Sequence, residues 1–196
     1  DEQIKEYQAL CLKHYDAKLT WQEASEGASN FMDLVKLVLE GMEEDERRNT
    51  RLALEPKGFH LTGIGYSCFV CGQSISNEET WYDKNGIKCL LCQEALNKKQ
   101  IPAYVCRKKD SWYSLHEFQT YFAIKSSTIL KFVRRGKLKM RTILNKSGGI
   151  HYRLFLIKDN PGLLPPKPRS RWIPVGENRV TLEYEKVPFP LLEGVK

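Results

Sequence analysis

What this chain lacks narrows its class first. No apolar run approaches the roughly 20 residues that a membrane-spanning helix requires; the richest short stretch, residues 34–39, is interrupted by Lys36. The start shows no basic segment followed by an apolar one, so a secretory leader is not expected and the expected location is intracellular, in the cytoplasm. Histidine is scarce, and His14, His60, His116 and His151 stand in unrelated contexts. There is no HExxH pair, no phosphate-cradling glycine-rich loop and no nucleophile motif, so catalysis is not expected and each histidine reads as a surface or packing residue. Internal repeats and long low-complexity tracts are also missing.

What is present is a globular composition with unevenly placed charge. At 196 residues, 41% hydrophobic and 28% charged, the chain can hold one to two domains with a real core. Its net charge is −6 over residues 1–55, +1 over 56–103, +10 over 104–160 and +2 over 161–196. The excess over 104–160 would attract a polyanion, with an affinity that falls as salt rises. The plainer alternative is a solvated basic face on a structural domain.

Residues 1–55 read as an acidic helical region. Ile4, Tyr7, Leu10 and Cys11 recur at helical spacing, and His14 and Tyr15 close that face. Thr20 followed by Glu23 is a capping box. Trp21, Ala24, Ala28, Phe31, Leu34, Val35, Val38 and Met42 then continue a second helix of about 20 residues. Gly27 inside it, at a cost of about 1 kcal/mol against alanine, marks either a close packing contact or a bend. The polar run EEDERRN from Glu43 reads as the solvated end of this helix or as a linker. The helical pair can pack on the rest of the chain, or serve a protein partner or a homodimer.

Cys68, Cys71, Cys89 and Cys92 form two CxxC pairs separated by seventeen residues. Each pair sets two sulfurs on one side of a tight knuckle, and two knuckles complete a tetrahedron, so the expectation is one structural Zn2+ within residues 60–103. Four thiolates leave no open position for an activated water, which disfavours catalysis by the metal. Gly72 follows the first pair, ETWYDKNGIK reads as a hairpin turning at Asn85 and Gly86, and CLLCQEALNKKQ opens a helix. Knuckle, hairpin and helix resemble a treble-clef finger. Lys84, Lys88, Lys98 and Lys99 are candidates for DNA contact, against the alternative of a spacer or partner-binding module. Cys11 reads as a core residue and Cys106 as a small hydrophobe in the strand AYVC.

Over residues 104–160 the pattern is two helices followed by a basic hairpin. Ser114 and Glu117 form a capping box, and Leu115, Phe118, Tyr121 and Phe122 share a helical face. After a turn at 123–125, Ser126 or Ser127 can cap a second helix that buries Ile129, Phe132 and Val133 and ends at Gly136. From there the period moves toward 2, with Leu138, Met140 and Thr142 alternating with Lys137, Lys139 and Arg141; NKSGG then turns the chain into the strand IHYRLFLI.

The string STILKFVRRGKL, with YSLHEFQTYFAIK before it, resembles the winged helix-turn-helix of the excisionase and MerR-like families through Thr128, Ile129, Phe132, Val133, Arg134, Arg135, Gly136 and Leu138. It departs from them at Gln119 or Thr120, where those families place a small residue. No dimerising coiled coil follows the wing, which favours the excisionase side. The resemblance implies transcription regulation or an accessory role in recombination and excision of a mobile element.

The expected fold is α+β: an acidic helical pair (1–55), a four-cysteine zinc finger (60–103), a winged helix-turn-helix (104–160) and an extended proline-rich tail (161–196). That tail holds seven of the nine prolines. It reads as a linker or a strap docking through Trp172, Val180, Leu182, Tyr184 and Phe189, with one edge strand at VTLEYEKV. The expected partner is double-stranded DNA. Ser127, Leu130, Lys131 and Arg134 would face base edges, while Lys125, Arg135, Lys137, Lys139, Arg141, Lys146 and Arg153 would meet phosphates. A structured-RNA binder and a zinc-finger interaction adaptor are the alternatives.

Overall fold

A computed structural model describes residues 2–176, 179–185 and 187–190. Among these the chain mixes five α-helices with seven strands in three small antiparallel sheets, and it divides into two units, Asp1–Pro56 and Lys57–Lys196.

The first unit is a helical pair, α1 (Glu2–Tyr15) and α2 (Trp21–Leu54), with Thr20 and Glu23 forming the capping box of α2. α2 runs 34 residues rather than about 20, and EEDERRN is part of its solvated C-terminal third rather than a linker. Glutamate and arginine are strong helix formers, and here they also pair along one side. Arg47 and Arg48 reach Glu44 at 2.9 and 3.0 Å, and Arg51 reaches Glu55 at 2.8 Å. Gly27 is a packing contact, since a Cβ there would lie 3.0 Å from the Tyr7 hydroxyl. Ala24 is the one fully buried side chain among the described residues of the pair. Leu10, Phe31, Leu34, Val38 and Met42 are each more than half exposed, and Cys11 is only half-buried.

The second unit begins with the cysteine-rich segment. β1 (Thr80–Asp83) and β2 (Gly86–Cys89) form a hairpin that leads into α3 (Leu90–Asn97). The loop is Lys84 and Asn85, one residue earlier than the NG pattern suggested, because Gly86 at φ +85° already pairs with Asp83. Lys88 is fully buried, its ammonium 2.7 Å from Asp83, and so is unavailable to a ligand. AYVC is a 3-10 turn rather than a strand, and Cys106 within it is buried, which pushes its thiol up to about 11.

Next come β3 (Trp112–Ser114), α4 (Leu115–Phe122), α5 (Ser126–Arg134), β4 (Arg141–Leu144) and β5 (Ile150–Leu156). Three strands pair in the order β3-β5-β4, and β3 was not evident from sequence. α4 has its capping box; Lys125, not a serine, stands at the start of α5 and offers no side-chain cap. Ala123 at φ 53° makes the turn between the two helices. Residues 137–140 are not yet strand, because Leu138 is drawn into the core under α4 and α5.

Alternation along β5 explains how this sheet is buried. Leu154 and Leu156 join Trp112 and Ile143 against the cysteine segment, whereas Phe155 joins Tyr113, Phe118, Ile129 and Phe132 on the helical side. Both faces of the sheet are covered, so three consecutive residues of β5 are buried.

The proline-rich tail is more ordered than an extended strap. β6 (Ser170–Gly176) pairs with β7 (Arg179–Tyr184), and Pro174 is accommodated in this two-stranded sheet, where every strand is an edge. Of the expected docking residues, Phe189 is buried against Phe118 and Phe122, and Tyr184 packs on Tyr121. Leu182 is half-buried, while Trp172 and Val180 stay exposed. Leu164 and the Lys167–Glu117 ion pair at 2.5 Å also hold the tail. Lys186 of the expected edge strand and residues 191–196 lie outside the described residues.

Asn160 closes this unit. Its Oδ1 accepts from the Lys139 amide at 2.7 Å, and its Nδ2 donates to the Lys139 and Leu156 carbonyls at 3.0 and 2.9 Å, in a setting 1% exposed. Asn160→Ala should therefore cost about 2 kcal/mol, since it strands buried backbone groups. Urea unfolding with an unchanged slope should show this, and a loss under about 0.5 kcal/mol would mean that water replaces the amide.

Candidate functional site

The four cysteines converge. Cys68 and Cys71 lie on a turn in which Gly72, at φ +72°, returns its amide to the Cys68 carbonyl at 2.8 Å. Cys89 ends β2 and caps α3, whose first turn carries Cys92. Each pair is closed in the same way: the Cys71 amide donates to the Cys68 sulfur at 3.5 Å and the Cys92 amide to the Cys89 sulfur at 3.4 Å. All four Sγ atoms lie within 4.8 Å of one another, with Cys71 and Cys89 at 3.9 Å, and the residues are at most 9% exposed.

These positions fit a single ion. A tetrahedron with zinc–sulfur bonds of about 2.3 Å has edges of about 3.8 Å. Thiols packed this closely titrate together, because a thiolate on one is hydrogen-bonded by the others. Hydrogen bonding with Cys71 pulls Cys68 down to about 6, and Cys89 is driven strongly down, first by Cys68. The same contacts drive Cys71 and Cys92 up, in each case through Cys68 first. A divalent cation held by the four sulfurs would stabilise all four as thiolates. The donor set is closed, so such an ion would be structural.

One neighbour of the centre was missed. The His151 Nε2 lies 3.6 Å from the Cys89 Sγ, across 62 residues of sequence. No spacing pattern connects the two, since only the pairing of β5 beside the cysteine segment brings them together. The other histidines are exposed, with His60 edge-on to Trp81 and His116 beside Thr120.

The residues expected to meet DNA separate into groups. Ser127, Lys131 and Arg134 are exposed on α5, opposite buried Ile129 and Phe132, and Leu130 is half-buried beside them. Lys125 precedes this helix and Arg135, Lys137 and Lys139 follow it, all exposed; Lys146 is exposed in the β4–β5 turn. Arg141 is committed elsewhere. Its guanidinium meets Asp159 at 2.6 and 3.2 Å and the Gln100 carbonyl at 2.9 Å, which neutralises its charge. Arg153 is half-buried on β5, and its Nε is buried with no hydrogen-bond partner among the described residues. Lys84, Lys98 and Lys99 are exposed around the cysteine segment, Lys98 in an ion pair with Glu94 at 2.7 Å.

The chain should bind one equivalent of zinc, and cobalt in its place should give the absorption of a tetrahedral thiolate site. Cys92→Ser should abolish stoichiometric binding at neutral pH, and acidification should release the metal as the thiolates take up protons. Binding of a full, tight equivalent by the variant would exclude Cys92 as a ligand. No protein-family model, curated protein or solved structure matches this chain, so the metal centre stands on its own geometry.

Proposed function

We propose that this chain is a sequence-specific double-stranded DNA-binding protein in which residues 104–160 act as a winged helix-turn-helix beside a structural, treble-clef-like zinc finger. The observation that carries this reading is the basic surface around α5. Lys125, Lys131, Arg134, Arg135, Lys137 and Lys139 are all exposed, and none of them forms a salt bridge among the described residues. Surface cations left unneutralised at this density favour a phosphate polyanion. The element order strand, helix, helix, strand, strand supports the same reading, because it sets a helix and a β-hairpin next to that charge.

In this mechanism α5 enters the major groove. Ser127, Lys131 and Arg134, with Leu130 at their border, face base edges, and Lys125, Arg135, Lys137, Lys139, Lys146 and Arg153 hold phosphates. Its closed donor set assigns the metal a structural part. Transcription regulation and excision or recombination of a mobile element are the two roles in keeping with the resemblance of residues 113–138. A structured-RNA binder or an interaction adaptor would carry the same charge without reading duplex sequence.

Selection from a random duplex pool at two salt concentrations should enrich a motif that survives the higher salt. Against that motif, Arg134→Ala should cost about 1–3 kcal/mol and relax specificity, while Lys137→Ala should weaken all duplexes alike and lower the salt slope by about 1. Equal losses on specific and random duplex for Arg134→Ala would remove it from the base-reading set.

A second role, self-association through residues 1–55, is favoured by the exposed apolar side of α2. Phe31, Leu34, Val38 and Met42 fall at helical spacing and are 53–64% exposed. Light scattering on the full chain should give a dimer mass that reverts to monomer in Leu34→Glu/Val38→Glu. A monomer at high concentration would sink this role.

A further inference from the structure

Three observations join the metal centre to the β4–β5 hairpin, which the DNA reading treats as the wing. First, Cys68, Cys89 and Cys92 belong to the same apolar cluster as Ile143 of β4 and Leu154 and Leu156 of β5. The cysteine segment therefore shares a core with the hairpin.

Second, the hairpin turn is internally rigid. The Asn145 Oδ1 accepts from the Ser147 and Gly149 amides at 3.1 and 2.8 Å, and the Asn145 amide donates to the Gly149 carbonyl at 2.8 Å. A groove of about 450 Å³ runs between this turn and the second cysteine pair, lined among others by Cys89, Leu90, Asn145, Lys146 and His151. A rigid turn moves as one body with whatever holds its base.

Third, the turn end of the hairpin touches the centre directly, through His151 beside the Cys89 sulfur at 3.6 Å. A metal-bound thiolate can only accept a hydrogen bond, so the ring nitrogen must be the donor. Outer hydrogen bonds of this kind orient a ligand and tune its affinity for the metal.

We infer that His151 is a positioning residue of the metal centre, and that through it and the shared core metal occupancy fixes the position of the β4–β5 hairpin. The cysteine segment is then a clamp on the hairpin rather than a spacer. Where residues 104–160 bind duplex DNA, a consequence that rests on the reading above, that binding depends on a metal which itself touches no nucleic acid.

Amide hydrogen exchange on the full chain, zinc-loaded and after chelation, tests the coupling without reference to DNA. Chelation should raise exchange across residues 141–153 together with 66–97. His151→Phe, which keeps the ring shape but loses the donor, should still bind one zinc. It should hold that zinc about tenfold more weakly and exchange faster at 143–151. His151→Gln, which restores a donor, should lie closer to the original protein.

Chelation that leaves 141–153 as protected as before would overturn the coupling. His151→Phe with unchanged zinc affinity and unchanged exchange would overturn the role of the histidine. In a parallel duplex-binding arm, chelation should weaken duplex affinity, read as the fold-change in Kd between the zinc-loaded and chelated chain. A zinc-loaded chain that binds no duplex would end the DNA reading alone, because the exchange result stands independently of it.

Discussion

The second unit, over its described residues, depends on one strand being covered on both faces. β5 sends Phe155 toward α4 and α5 and sends Leu154 and Leu156 toward the cysteine segment, and all three are buried. A strand of a three-stranded sheet normally leaves one face wet. Here neither face can be exposed without opening a core, so α4 and α5 on one side and the cysteine segment on the other are held in a fixed relation through a shared sheet. Trp112 and Tyr113 of β3 repeat the same division, one residue to each side.

This arrangement would give an ion held by the four cysteines a larger part than local stability. A segment of about 45 residues has too little core to fold well by itself, and a structural ion supplies what the core lacks. Yet the four sulfurs do not stand apart as a separate bead on the chain. They line the same cluster as Ile101, Val105, Trp112 and Ile143, and the buried Lys88–Asp83 pair stiffens the hairpin that delivers Cys89. The basic surface around α5 is carried by the opposite side of the sheet, so the cysteine cluster and the charge are joined through β5.

The acidic helical unit follows a different logic. α1 packs on α2 where Ala24 and Gly27 permit close approach, at Tyr7. Beyond that point α2 continues as an amphipathic helix whose large apolar side chains face solvent. Its charged end is stabilised along its own length by glutamate and arginine pairs, which explains how a helix of 34 residues persists where few tertiary contacts support it.

By itself the sequence determined the features encoded in local chemistry. The capping boxes at Thr20 and Ser114, the amphipathic runs of α2, α4 and α5, the turn at 145–149 and the metal-ligand spacing of the four cysteines all follow from residues a few positions apart. Errors arose where local chemistry was ambiguous. EEDERRN is polar enough to be a helix end or a linker, so it hid the full 34-residue length of α2, and AYVC has strand composition but follows Pro102 into a 3-10 turn. Only the tertiary structure decided the rest: that Trp112–Ser114 is a strand, that Lys88 and Arg141 are consumed by Asp83 and Asp159, and that His151 meets Cys89. The reason is physical. These outcomes turn on which surface covers a side chain once the chain has folded, and burial and ion pairing leave no periodic mark in the chain.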